Sequence, residues 1–497
     1  MPESSLPGND SYNELEPLSA LLADLSVLPD MDDDPPETQP YRTGSRRRRA
    51  AVALVVIWSG TIALHLSAWG SWLILGLTTL MGIHAVRILF ARPLPPPEPL
   101  SLDAEGKLPN VSLLVAAKNE EAVISRLVKL LCNLDYPSDC YELWVIDDAS
   151  TDHTPKVLEE LAQEYEQLRV FRRPPGASGG KSGALNQVLP LLKGDIIGVF
   201  DADAQVQPDL LRRVLPLFRR ETLGAVQVRK AIANPPKNPW IRGQILEMSL
   251  DAYFQQQRIA IGGIGELRGN GQFVRRAALE SCGGWNEETI TDDLDLTIRL
   301  HLHRWDIECT TIPAVQEEGV TTAIALWHQR NRWAEGGYQR YLDYWQPLVR
   351  NRMGTSKTLD LIMFWITQYF LPTAAIPDLL MAVLRNSPLI YGPIASLTVT
   401  LSILGMLFGV RRVRRAERAI VASSAADSCH PPLSPEPRLG VISNLFQALY
   451  GVLYMFHWFP VVASTTARMA VRPKRLKWVK TVHYGHEEVA EPPIASN

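Results

Sequence analysis

Between residues 50 and 91 the chain carries no lysine, arginine, aspartate or glutamate until Arg87. A bilayer core of about 30 Å is crossed by about 20 helical residues. The stretch is therefore long enough for two crossings, near 51–68 and 71–91, with Trp69-Gly70-Ser71 as the turn. A second apolar region, 359–410, holds two more, near 359–383 and 388–410, broken at Arg385-Asn386-Ser387-Pro388. A third, 441–467, is apolar but interrupted by His457 and Pro460, so it reads as transmembrane or re-entrant. A buried core helix is the competing reading for each run, and length together with freedom from charge weighs against it.

Charge placement orients these segments. Arg46 to Arg49 abut the first span, which puts that end in the cytoplasm. Two crossings later the chain is cytoplasmic again at Arg92, so residues 100–350 are expected to form a cytoplasmic domain. The basic loop 411–418 agrees with two further crossings, whereas a single fifth crossing would put the basic tail 468–480 outside. Residues 1–45 are polar and acidic, with four aspartates between Asp30 and Asp34; they read as a disordered tail without a secretory signal. The five cysteines are scattered with no C-x-x-C spacing, which disfavours a disulfide framework or zinc site. A net charge of −3 and the lack of a recognition motif disfavour a nucleic-acid partner, and none is expected.

The expected organisation is thus a tail (1–45), two spans (46–92), a proline-rich linker (93–107) and a catalytic domain (108–320). Interfacial helices (321–358), two spans (359–410), a cytoplasmic loop (411–440), the segment 441–467 and a basic then acidic tail (468–497) follow.

Within the domain, V-S-L-L-V-A-A (111–117), Y-E-L-W-V-I-D-D (141–148), L-R-V-F-R-R (168–173) and D-I-I-G-V-F (195–200) read as strands alternating with helices. That alternation indicates a mostly parallel, Rossmann-like sheet with its chemistry at the strand C-termini. Asp148 follows one strand, and Asp201-Ala202-Asp203 follows another. In an extended chain Asp201 and Asp203 face the same way and can share one hard divalent cation; a solvated turn is the other reading. The stretch G-G-K-S-G (179–183) lacks the first glycine of an ATPase phosphate loop, because Pro175 stands there.

Seven segments occur in order: V-A-A-K-N-E-E (115–121), V-I-D-D-A-S-T-D (145–152), G-K-S-G-A-L-N (180–186), D-A-D (201–203), G-N-G-Q-F-V-R-R (269–276), T-D-D-L-D-L (291–296) and Q-R-N-R-W (329–333). Together they resemble the membrane-bound, inverting nucleotide-sugar glycosyltransferases of family 2, which have the GT-A fold. The resemblance implies an α/β GT-A cytoplasmic domain joined to an α-helical transmembrane region. It places Ala116 and Lys118 at a uridine pocket, Asp148 at the nucleoside and Lys181 at the diphosphate. It makes Asp201 and Asp203 the ligands of Mg²⁺ (or Mn²⁺) and Asp293 the general base. Asp292, Gln329, Arg332 and Trp333 would gate diphosphate and acceptor. Pro and Tyr are more frequent in the family where this chain has Ala116 and Lys118.

Thr291 reads as an N-cap, and a helix N-terminus is expected to hold the Asp293 pKa low. Residues 321–345 read as a helix interrupted at Gly336-Gly337, with Arg330, Arg332 and Arg340 among aromatics at the headgroup level. Four or five spans are few for threading a polymer, so a lipid acceptor is favoured over a processive cellulose- or hyaluronan-like synthase. Segments 269–276, 283–296 and 325–345 are further similar to glucosyltransferases acting on diacylglycerol. That similarity implies UDP-glucose as donor, the sn-3 hydroxyl of 1,2-diacylglycerol as acceptor, and a plasma or thylakoid membrane setting. Another lipid acceptor or UDP-sugar is the alternative.

Overall fold

The computed structural model describes residues 44–102, 108–427 and 441–471. The acidic tail, most of the 411–440 loop's second half, part of the 93–107 linker and the C-terminal tail lie outside the described residues.

Helices α1 (Gly44–Leu66) and α2 (Gly70–Phe90) precede the sheet. Strands β1 (Val111–Ala117), β2 (Tyr141–Asp147), β3 (Leu168–Arg172) and β4 (Ile196–Phe200) alternate with α3 (Ile124–Cys132), α4 (Thr154–Glu164) and α5 (Gly180–Val188). After α6 (Leu210–Val214) come β5 (Leu223–Ile232), α7 (Pro239–Ala260), β6 (Gln272–Arg275), α8 (Arg276–Ser281), α9 (Asp292–Leu302) and β7 (Asp306–Glu317). The seven strands run in the order β3-β2-β1-β4-β6-β5-β7. All neighbours pair in parallel except β6, which is antiparallel to both β4 and β5.

The near-continuous apolar runs of β1 and β4 are buried on both faces, as covered parallel strands require. Leu113, Val115 and Phe200 pack on one side against Ile124, Leu127 and Leu158. Leu114, Ile197 and Val199 pack on the other against Ala184, Leu185 and Leu296. Because β1, β2 and β4 are parallel, residues 118, 148 and 201 emerge at one edge. The strand order reverses about β1, so a crevice opens at that edge.

Below the sheet, α10 (Ala323–Asp343), α11 (Trp345–Val349), α12 (Thr355–Trp365), α13 (Leu371–Leu384), α14 (Gly392–Asp427), α15 (Val441–Met455) and α16 (Trp458–Val471) complete the chain. Among the described residues, five segments are long and apolar enough to cross a membrane by length and composition: Arg46–Leu66, Gly70–Phe90, Thr355–Leu384, Gly392–Arg418 and Ile442–Val471. The third is joined through a π-helical turn, Ile366–Phe370, and the fifth is split between α15 and α16. Helix α7 couples the sheet to this bundle: Gln257 donates to the Ile88 carbonyl at 2.6 Å, and Glu247 accepts from Trp458 Nε1 at 2.9 Å.

Three expectations about local structure are corrected. Helix α10 runs uninterrupted through Gly336 and Gly337. A Cβ on Gly336 would lie 2.3 Å from Thr291 Oγ1, and one on Gly337 would lie 1.9 Å from the Tyr369 hydroxyl. These glycines are where neighbours press closest to the helix, and no break is needed. Arg330 and Arg340 are buried ion-pair partners, of Glu247 at 2.5 Å and Glu266 at 2.6 Å, so their guanidinium groups are spent on carboxylates inside the protein. Thr291 occupies the N-cap position of α9, but its side chain caps nothing; its hydroxyl is turned to the face of α10.

An ordinary helical Gly→Ala change stabilises by about 1 kcal/mol through propensity. Here overpacking against Thr291 should reverse the sign, costing about 1–3 kcal/mol. Gly336→Ala is expected to lower the apparent Tm of the purified protein; a raised Tm would show that the contact is loose.

Candidate active site

Every residue proposed from the sequence lines a single cavity of about 490 Å³ at the C-terminal edge of the sheet. Ala116 and Lys118 come from the end of β1, Asp148 from the end of β2, and Asp201 and Asp203 from the turn after β4. Lys181 stands in the first turn of α5, Asp292 and Asp293 open α9, and Gln329, Arg332 and Trp333 project from α10.

Glycine conformation delivers Lys181. Gly179 has φ +83°, and a Cβ there would lie 2.2 Å from Glu287 Oε2, so the chain turns sharply into the N-terminus of α5. Lys181 Nζ then reaches Asp201 Oδ1 at 2.5 Å. Burial disfavours the ammonium, yet Asp201 and Asp292 hold the lysine pKa well above its ordinary value. Burial likewise disfavours the Asp201 carboxylate, but Lys181, Lys230 and Arg332 keep its pKa below the usual range.

Asp201 and Asp203 do not alternate along an extended strand as expected. The Ala204 amide donates to the Asp201 carbonyl at 3.0 Å, closing a turn. Within it the Asp201 side chain is 41% exposed, whereas Asp203 is buried and accepts the Glu318 amide at 2.9 Å. The turn still brings both carboxylates to one cavity, with Asp201 forward and Asp203 anchored against the end of β7.

Asp293 departs from expectation in its acidity. Its pKa is raised to about 6, by burial first and by neighbouring Asp292 second; the Leu294 amide, Lys181 and Lys230 pull the other way without prevailing. The helix N-terminus is therefore outweighed by desolvation and like charge. Gly269, at φ +83°, lies over this carboxylate: its absent Cβ would be 3.4 Å from Asp293 Oδ2. Asp292 Oδ2 is shielded from solvent and has no hydrogen-bond partner.

Asp148 is held by Arg173 Nη1 at 2.5 Å and by Lys118 at 3.5 Å. Gln329 accepts from Arg330 at 2.8 Å. Trp333 is flanked by two cations, Arg330 at 4.0 Å and Lys230 at 5.1 Å from its ring centre. Lys230, on β5, was not anticipated. It lines the cavity, pairs with Glu317 at 2.9 Å and stays charged despite burial. Arg173 and Asn270 were also missed; the Asn270 Oδ1 accepts the Asp201 amide at 3.2 Å. The G-N-G motif holds Asn270, whereas no local pattern distinguishes Lys230 or Arg173 from surface cations.

The donor set bears on a bound cation. Among the described residues no cluster of three or more His, Cys, Asp or Glu side chains could hold a metal unaided. Two carboxylates, one already engaged by a lysine ammonium, suit a hard cation that completes its shell with phosphate oxygens and water. The orphaned Asp292 oxygen adds negative charge awaiting a donor or cation.

Comparison with known proteins places this geometry. Residues 109–336 match the family described as "Glycosyltransferase like family 2". The chain is 61% identical to the β-monoglucosyldiacylglycerol synthase of Nostoc sp., over 98% of its own length and 100% of the relative's. It is 54% identical to the synthase of that name from Synechocystis sp., over 96% of both chains. The chain belongs to glycosyltransferase family 2. The fold of this glycosyltransferase also matches the mannosyltransferase PcManGT from Pyrobaculum calidifontis, solved with GDP-Man and Mn²⁺. That likeness has a TM-score of 0.50 at 20% identity and covers 83% of this chain and 99% of the other. It establishes a GT-A-type sheet.

Three outcomes follow for the glycosyltransferase site. If Asp293 works as its carboxylate, kcat/KM should fall as pH drops through about 6 and level off above it. Asp292→Asn removes a like charge and should move that limb to lower pH; an unmoved limb would detach the titration from this pair. If Lys181 holds a donor's diphosphate, Lys181→Met would remove a charge-assisted contact worth roughly 1.5–3 kcal/mol, and UDP affinity measured by calorimetry should weaken at least about tenfold.

Proposed function

We propose that this chain transfers glucose from UDP-glucose, with inversion, to the sn-3 hydroxyl of 1,2-diacylglycerol, giving β-monoglucosyldiacylglycerol. The observation carrying this reading is identity of 54–61% over nearly the whole chain to synthases named for that product. The cavity supports it, because its lining runs from Lys181 and Asp201 down to Met81, His84, Leu397 and Leu401 on the apolar helices α2 and α14. A lipid hydroxyl could reach Asp293 from that side without leaving the membrane surface.

The reaction forms a bond from the acceptor oxygen to the anomeric carbon and breaks that carbon's bond to the β-phosphate oxygen. Asp293 takes the hydroxyl proton as the new bond develops. A carboxylate whose pKa is near 6 is a stronger base than an ordinary aspartate and is still ionised at neutral pH. Lys181, Arg332 and Lys230 offset the charge gathering on the departing UDP, in a pocket where such contacts count for more than in water. Asp201 and Asp203 would hold Mg²⁺, which when bound supplies Lewis-acid stabilisation of the diphosphate. Asp148, Lys118 and Ala116 line the end of the cavity assigned to the nucleoside, and Trp333 and Gln329 stand over the diphosphate and acceptor. The basic run Arg46–Arg49 at the start of α1 supports a cytoplasmic catalytic domain, in a plasma or thylakoid membrane.

Asp293→Asn should bind UDP-glucose like the wild type yet lose transfer by about 10³-fold or more. Near-normal turnover would remove Asp293 from the base role. Chelation should stop wild-type transfer, with Mg²⁺ restoring it; Asp203→Asn should raise the Mg²⁺ concentration needed for half-maximal rate.

A further inference from the structure

A second cavity lies on the outer side of the α2–α14 seam. It measures about 500 Å³ and is bounded by Gly82, Val86 and Leu89 of α2 and by Leu397, Leu401 and Leu404 of α14. Ala85, Leu397 and Leu401 line both this groove and the catalytic cavity. The two spaces therefore share one wall, apolar on the bilayer side and charged on the other. From Leu89 to Gly82 the groove follows α2 for seven residues, about 10 Å of helix, away from the cytoplasmic end that Gln257 clasps at Ile88.

Two details mark the two faces of this wall. A Cβ on Gly82 would meet no atom within 4 Å, so the glycine leaves room that no neighbour fills. His84, two residues further along α2, is 92% buried and lines the catalytic cavity. Its Nε2 lies 3.1 Å from Asp360 Oδ1, while its Nδ1 has no hydrogen-bond partner. A polar atom without a partner in the catalytic cavity, on the residue next to Ala85 of the shared wall, suits the polar glycerol portion of a lipid.

We infer that the α2–α14 groove seats an acyl chain of the acceptor diacylglycerol, with Gly82 keeping the seat clear and His84 meeting the glycerol backbone at the passage to Asp293. The inference rests on the lipid-acceptor reading above and adds where the lipid is held. It commits to an acyl chain because, Arg87 and Thr400 apart, the groove is lined by apolar residues along a helix able to span the membrane, and because it shares a wall with the cavity where the hydroxyl must react.

The test uses the full-length protein in nanodiscs. In Gly82→Phe a ring fills the groove; displacing roughly two buried CH₂ groups corresponds to about a tenfold rise in the KM for dioleoylglycerol. The KM for UDP-glucose should be unchanged, and the defect should shrink with dihexanoylglycerol, whose chains occupy less of the groove. Gly60→Phe, at a second glycine with open space beside it but outside the groove, should leave both constants unchanged. Thr400→Phe, from the opposing helix, gives the same readout should Gly82→Phe lose UDP binding. Separately, a diacylglycerol bearing a photoactivatable acyl chain should label peptides spanning 82–89 and 397–404, competed by diacylglycerol and not by phosphatidylcholine. An unchanged dioleoylglycerol KM in the groove variants, an equal effect from Gly60→Phe, or labelling elsewhere would overturn the inference. Absence of any glucosyl lipid from the wild type would instead refute the lipid-acceptor reading, and labelling would still report on the groove.

Discussion

Lys181 and Asp201, 2.5 Å apart at the mouth of the sheet, express the constraint around which the site is organised. A diphosphate donor brings negative charge to a pocket that already holds Asp201, Asp203, Asp292 and Asp293. Lys181, Lys230 and Arg332 face those carboxylates from three separate elements, α5, β5 and α10. Four carboxylates against three cations leave these groups one negative charge in excess, and a diphosphate would deepen that excess, which a divalent cation held with the phosphate oxygens would offset. Asp293 shows the consequence: its pKa rises toward 6 because burial and Asp292 outweigh the nearby cations.

The same economy of charge joins the catalytic domain to the helices beneath it. Glu266, fully buried, faces Arg340 at 2.6 Å, Arg268 at 2.8 Å and Arg258 at 3.3 Å. Arg258 continues to Asp360 of α12 at 2.8 Å. Removing one member would strand buried charge, so the network ties the register of α7 and α10 to the start of a membrane helix. The floor of the cavity is thus fixed to a helix long and apolar enough to cross a membrane.

Much of this was legible in the sequence because apolar strand cores end where the chemistry begins. V-S-L-L-V-A-A and Y-E-L-W-V-I-D gave β1 and β2 with their stated starts, and the aspartates after β2 and β4 fell at the cavity as expected. What escaped depends on three-dimensional neighbours. Gly336 and Gly337 read as a helix break, yet their meaning lies in Thr291 and Tyr369, about 45 and 32 positions away in the chain. The pairing of Arg330 and Arg340 was not legible because their acidic partners, Glu247 on α7 and Glu266 in the loop after it, are distant in the chain. Lys230 is one cation among many until β5 is set beside the site. The acidity of Asp293 was misjudged because helix position can be read from sequence, whereas burial cannot.

Product analysis tests the central claim most directly. The purified protein would be supplied with Mg²⁺, 1,2-dioleoylglycerol and, in parallel, UDP-glucose, UDP-galactose and UDP-N-acetylglucosamine, with lipids separated by chromatography and the anomeric configuration read by NMR. The account predicts one lipid carrying a single β-linked glucose, formed from UDP-glucose. A water-soluble polymer, an α-linked product, or preferential use of another donor would contradict it.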